Sequence, residues 1–145
     1  MKVRVLLRCL LIALLLMLVS CATGAKFADL QPKTAPDNQT GGRIFFYRPS
    51  SLGAALRPNV VLNGETVGEA VSHGFFYVDR PPGTYEVVTQ TEVKRKLSFV
   101  LEAGQTRYVR FSASFGFFVG HVYGQLVEPE TALSEIKKCK YTGTK

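Results

Sequence analysis

Leu18-Val19-Ser20-Cys21 closes a ten-residue apolar run, Leu10 to Val19, that follows the basic residues Lys2, Arg4 and Arg8. A small residue before a cysteine at the end of such a run reads as a lipidation box. The chemistry is thioether formation: the Cys21 thiol takes a diacylglycerol group at the membrane surface, and cleavage between Ser20 and Cys21 makes Cys21 the first residue of the mature chain. Ten residues are too few to cross a bilayer. Two alternatives stay open. Ser20-Cys21-Ala22 also meets the small-x-small rule of ordinary signal cleavage, which would release a chain starting at Thr23, and the apolar run could be retained as an anchor.

No other set of residues points to a reaction. His73 and His121 are the two histidines, and neither has a His, Cys or acid at ligand spacing. Ser72-His73 is adjacent in sequence, but neighbours in a strand point to opposite faces, which argues against a nucleophile and its base. Glu65 and Glu69 flank a turn, Asp79 ends a strand, and Glu128, Glu130 and Glu135 fall near the C-terminus. A carboxylate pair of the glycosidase kind would need a cleft to gather them. There is no nucleophile elbow and no phosphate loop. The expectation is therefore no catalytic residue, no metal and no cofactor.

The net charge of +7 falls to about +4 once residues 1 to 20 are removed. That modest excess suits weak attraction to anionic lipid or wall polymer and is too scattered for nucleic acid. Lys94-Arg95-Lys96 is the densest basic run and reads as a solvated hairpin end. Of three cysteines, Cys9 leaves with the signal and Cys21 carries the lipid, so Cys139 has no partner within the chain. A half-buried, inert thiol is expected, with an intermolecular disulfide as the alternative.

These residues must be positioned by a small domain. Residues 21–42, with Pro32, Pro36, Asn38 and Gly41-Gly42, lack periodicity and read as a flexible tether. From 43 to 140 short β-type runs alternate with turn residues. Arg43 to Arg48 opens the series, Asn63-Gly64 is a type I′ hairpin signal, and Pro81-Pro82-Gly83 turns the chain into Thr84 to Thr91. There Tyr85, Val87 and Thr89 alternate with polar neighbours, as do Leu97, Phe99 and Leu101 in the next run, so one face of each is buried. His121 to Glu128 is the expected last strand, and a short helix begins at Pro129-Glu130 and ends at Lys137-Lys138. The predicted fold is all-β, an immunoglobulin-like sandwich of seven to eight antiparallel strands with a short C-terminal helix.

Phe115, Phe117 and Phe118 lie among glycines ahead of Tyr123. They either fill the sandwich while the glycines allow a bulge, or form a contact loop for lipid or a partner. The lack of tryptophan favours the packing role. Ser50 to Pro58, rich in Gly, Ala and Ser, is a second candidate contact loop that reads as plain surface.

The opening Arg43-Ile44-Phe45-Phe46-Tyr47-Arg48-Pro49, the Leu62-Asn63-Gly64-Glu65 hairpin with Val67-Gly68, Phe75-Phe76-Tyr77-Val78-Asp79 leading into Pro81-Pro82-Gly83-Thr84-Tyr85, Leu101-Glu102-Ala103-Gly104 and Tyr108-Val109 carry a resemblance. Over roughly Gly42 to Lys138 the chain resembles small bacterial lipoproteins built on one domain of unknown function with an immunoglobulin-like or transthyretin-like sandwich. The Pro-Gly-x-Tyr turn is also similar to PEGA-type surface domains, with Pro82 in place of the glutamate and Thr84 in place of the alanine. The resemblance implies an envelope lipoprotein and brings no catalytic residues. The expected function is a noncatalytic module anchored in the outer membrane through acylated Cys21, facing the periplasm and contacting an envelope protein or polymer. A hydrolase of an envelope polymer and a stress lipoprotein acting through homo-oligomers are the alternatives.

Overall fold

The run Arg43 to Arg48 has no polar alternation, and a strand of that composition must be covered on both faces. In the computed structural model, which describes residues 24–30, 41–90, 94–115 and 120–143, it is the middle strand of a sheet and buried along its whole length. Ser20 and Cys21 of the lipidation box, and Phe117 and Phe118 of the aromatic run, lie outside the described residues.

Nine strands and two helices are described: α1 (Phe27–Leu30), β1 (Gly42–Arg48), β2 (Asn59–Leu62), β3 (Glu65–Glu69), β4 (Gly74–Arg80), β5 (Gly83–Gln90), β6 (Lys94–Leu101), β7 (Thr106–Phe115), β8 (Gly120–Leu126), α2 (Pro129–Ile136) and β9 (Lys140–Tyr141). They form a five-stranded sheet in the order β8-β7-β1-β4-β9 and a four-stranded sheet in the order β3-β2-β5-β6. The all-β sandwich is as predicted, with two corrections. There are nine strands among the described residues rather than seven or eight, and the sheets are not wholly antiparallel. β1 runs parallel to β7, and β9 parallel to β4. Both parallel pairs join segments far apart in the chain, which short-range turn signals cannot reveal.

Between the sheets, Phe46 stacks on Phe76 and Phe111 with ring centroids 5.0 and 6.0 Å apart, and Val87 and Leu101 close on them from the other sheet. Tyr85, Val87 and Thr89 are buried on one face of β5, as their alternation requires. At the expected hairpin Asn63 and Gly64 both adopt positive φ, 48° and 87°, and Leu62 pairs with Glu65. Asn63 Oδ1 accepts from the Glu86 N–H at 2.7 Å, tying the turn to β5. Tyr85 Oη donates to the Pro81 carbonyl at 2.7 Å and closes the corner where the chain passes from one sheet to the other.

A second apolar layer lies outside the five-stranded sheet. Phe45, Tyr47 and Phe75 face Ala132 and Ile136 of α2, Cys139, and Phe27 of α1. Phe27 meets Phe45 and Phe75 edge-on at 5.8 and 5.5 Å. This corrects the tether: residues 24–30, expected to be flexible, dock on the domain. The Tyr141 N–H donates to the Ala25 carbonyl at 2.7 Å, and Lys26 pairs with Lys140. The physical reason is that the outer aromatic face of β1 and β4 needs a cover which α2 alone does not complete.

Candidate functional site

The chain leaves β1 at Arg48 and crosses to β2 through residues 49–58, over one end of the sandwich. That crossing leaves backbone carbonyls pointing inward without strand partners, and such groups must be satisfied. Arg48 satisfies them. Its side chain has no exposure, Nη1 donates to the carbonyls of Leu56 at 2.6 Å and Ala70 at 3.0 Å, and Nη2 donates to those of Leu52 at 2.6 Å and Gly53 at 2.7 Å. The planar fork of a guanidinium reaches four acceptors at once, which an ammonium cannot. Burial pulls its pKa below the ordinary arginine value. Gly53 takes a φ of 66°, and a Cβ there would stand 3.2 Å from Arg48 Nη2, so the turn needs glycine. Ser72, also buried, donates to the Ser50 carbonyl at 2.9 Å. The loop that read as plain surface is thus held in shape from beneath, and it presents Leu52 with 53% exposure.

β7 continues past the last residue it pairs with in β1 and brings Phe115 to the same end. The Phe115 ring lies beside this loop: a Cβ built on Gly53 would be 3.3 Å from it, and one on Gly120 3.2 Å. Phe115 is 59% exposed, so the packing role is corrected for this residue. Its ring lies beside Gly53 and Gly120, which have no side chains to cover it. Leu52 and Phe115, from two candidate contact segments separate in sequence, therefore meet at one apolar end. Tyr123 does not join it. It is half-buried and lines a different cleft of about 460 Å³ with Arg95, Lys96, Ser114, Gly124 and Gln125.

The polar candidates are dispersed or engaged. His73 adopts a φ of 52°, and its Nε2 lies 2.7 Å from Ser51 Oγ rather than from its neighbour Ser72. No described carboxylate bonds to His73. His121 is half-buried with Nδ1 unpartnered. Asp79 holds Arg43 through two bonds of 2.5 and 2.6 Å, with the Arg43 guanidinium 4.2 Å above the Tyr77 ring. Glu65 pairs with Arg80 at 2.8 Å, and Glu86 with Lys96 at 3.1 Å. Glu135 accepts from Tyr47 at 2.7 Å and from Arg110 at 2.8 Å. Among the described residues no three His, Cys, Asp or Glu side chains gather as a metal site. Cys139 is 1% exposed, not half-buried, and burial pushes its thiol up to about 12. A disulfide to a second chain would require the helix above it to lift.

Sequence reasoning missed Arg48 as an organising residue. Its signal was an arginine directly after the apolar run Ile44 to Tyr47, where a charge has no place unless it is paired.

Residues 38–122 match the family described as "Protein of unknown function (DUF2846)". The match takes in both Leu52 and Phe115. An uncharacterized protein of Haemophilus influenzae is 28% identical over 134 residues, covering 88% of this chain and 79% of that relative. No solved structure matches. No helix of the described residues is long and apolar enough to cross a membrane.

Proposed function

This chain belongs to the DUF2846 family of proteins of unknown function, and from that premise we propose that it is a lipid-anchored contact module of the bacterial cell envelope. Acylated Cys21 holds it at the outer membrane, facing the periplasm, and the sandwich acts by binding rather than by catalysis. The observation that carries this reading is the convergence of Leu52 and Phe115 on one end, exposed by 53 and 59%, Leu52 on a loop fixed by the buried Arg48 and Phe115 at the end of β7. Large apolar side chains held out rigidly in one place mark a contact surface, whereas single scattered ones do not. A photo-crosslinking amino acid placed at Leu52 or Phe115 in the native host tests it. Val100, equally exposed at 51% on β6, serves as the control position. Adducts from the end positions and none from Val100 support the reading; equal yields from all three contradict it.

The Ser51 and His73 contact favours a second reading, a hydrolase of an envelope polymer, because a histidine nitrogen at 2.7 Å can take the serine proton. Labelling of Ser51 by a fluorophosphonate probe, abolished in His73→Ala, would support it. An unlabelled Ser51 removes it.

A further inference from the structure

The apolar end is bordered by an unusual concentration of positive charge. Lys26 and Lys140 face each other across an antiparallel bridge, and Lys137 and Lys138 follow α2 in the turn just before. All four are exposed, and none forms an ion pair with a described carboxylate. The partial negative charge at the C-terminus of α2 accounts for Lys137 and Lys138. It does not account for Lys26 opposite Lys140, since like charges directly opposite each other across a strand pair are destabilising. These lysines and the apolar end are continuous. The Lys140 N–H donates to the His73 carbonyl at 2.8 Å, His73 contacts Ser51, and Leu52 comes next in the chain.

The attachment point adds a constraint. Residues 24–26 are docked beside β9, and the three residues from Cys21 to Gly24 span at most about 11 Å. A lipid on Cys21 therefore enters the bilayer within about 11 Å of the folded domain, next to Lys26. The stand-off that a twenty-residue tether would allow is lost.

We infer that this end of the sandwich lies on the bilayer, with Lys26, Lys137, Lys138 and Lys140 on anionic lipid headgroups and Leu52 and Phe115 in the interfacial layer. The inference rests on the lipid-anchor reading for its biological setting, and it names the partner of the contact surface proposed above. An apolar projection rimmed by lysines is the chemistry a negatively charged membrane recognises, with headgroup attraction added to buried apolar area.

The test uses the mature chain carrying Cys21→Ser, so that no acyl group contributes. Its sedimentation with vesicles of phosphatidylcholine alone is compared with that of vesicles containing about one-third phosphatidylglycerol. Binding to the anionic vesicles that weakens with added salt is expected. Each lysine at the surface contributes about fivefold, so Lys26→Gln with Lys140→Gln should lower the partition coefficient about 25-fold. Leu52→Ser with Phe115→Ser should weaken it as well. Arg95→Gln with Lys96→Gln removes the same charge from β6 and should leave it within about threefold of the parent. Binding indifferent to phosphatidylglycerol, or equal losses from the two charge-neutralised pairs, would overturn the inference. Protein crosslinks from Leu52 and Phe115 in place of lipid adducts would overturn it too. Failure of the anchor reading is registered separately, by the absence of acyl mass on the native protein, and leaves the vesicle result untouched.

Discussion

Replacing Arg48 by methionine keeps the length and apolar stem of the side chain and removes the guanidinium that holds residues 49–58. Of the four carbonyls it serves, those of Leu52, Gly53 and Leu56 lie near the surface and can take up water if the loop opens. The bond to Ala70 is fully buried and has no such recourse. An unsatisfied buried carbonyl costs about 1–3 kcal/mol, and hydrogen bonds from a charged donor are each worth about 1.5–3 kcal/mol net. Against this, the variant no longer buries a charge, a gain of several kcal/mol. Replacing both partners of a buried ion pair with apolar groups is often neutral for that reason, but here the acceptors are backbone and remain in place. The balance is a loss of about 2–4 kcal/mol. Urea unfolding followed by circular dichroism should show a midpoint lower by roughly 2 M, taking a slope of about 1.5 kcal/mol per M for a domain of this size. Amide exchange should quicken at Ala54 and Leu56, whose N–H groups donate within the loop to Ser51 and Gly53. Arg48→Lys should fall between, since three donors on one nitrogen cannot span four carbonyls. An Arg48→Met protein within about 0.5 kcal/mol of the parent, with unchanged exchange in the loop, would refute the role given to this residue.

Four further expectations concern the outer layer. Phe27→Ala removes the side chain that pins residues 24–30 to Phe45 and Phe75, a loss of about 3 kcal/mol, so trypsin should cut after Lys26 over 100-fold faster while the sandwich stays folded. Tyr47→Phe deletes one bond to Glu135 and leaves the one from Arg110, which should cost about 1–2 kcal/mol in thermal unfolding, with no loss in an Arg110→Met background counting against the network. Burial raises the Cys139 thiol to about 12 and also lifts the Tyr47 and Tyr108 phenols, Tyr47 further through its bond to Glu135. A group raised on folding supports the fold fully below its unfolded pKa and ceases to as pH passes its folded value, so stability should fall from about pH 9 towards 12. Cys139 should also resist a thiol reagent until the protein unfolds; prompt native-state reaction at pH 8 would contradict its burial.

How much of this was legible in the chain depended on the range of the interaction. Tyr85, Val87 and Thr89 announced their buried face by alternation, and Asn63-Gly64 its hairpin by two residues tolerant of positive φ; both are local signals. The second layer was written only as an absence of alternation in Arg43 to Arg48, which could have been taken as two-sided burial. Phe27 gave only a weak signal, because Phe27 and Leu30 make a single i, i+3 apolar pair too short to establish a period, and its burial depends on a sheet face built elsewhere. The same holds for Ser51 and His73, which meet through two loops far apart in sequence. Phe115 and Leu52 were each flagged in part, as members of two separate loops, and the fold supplied their meeting through the parallel pairing of β1 and β7 and the anchorage of the crossing loop by Arg48.

The envelope role proposed here depends above all on Cys21, and the intact mass of the detergent-extracted protein from its native host tests that most directly. A chain beginning at Cys21 and carrying a diacylglycerol group and a further acyl chain is expected, with the added mass lost in Cys21→Ser. An unmodified chain beginning at Thr23 would contradict it and make the protein a soluble secreted one.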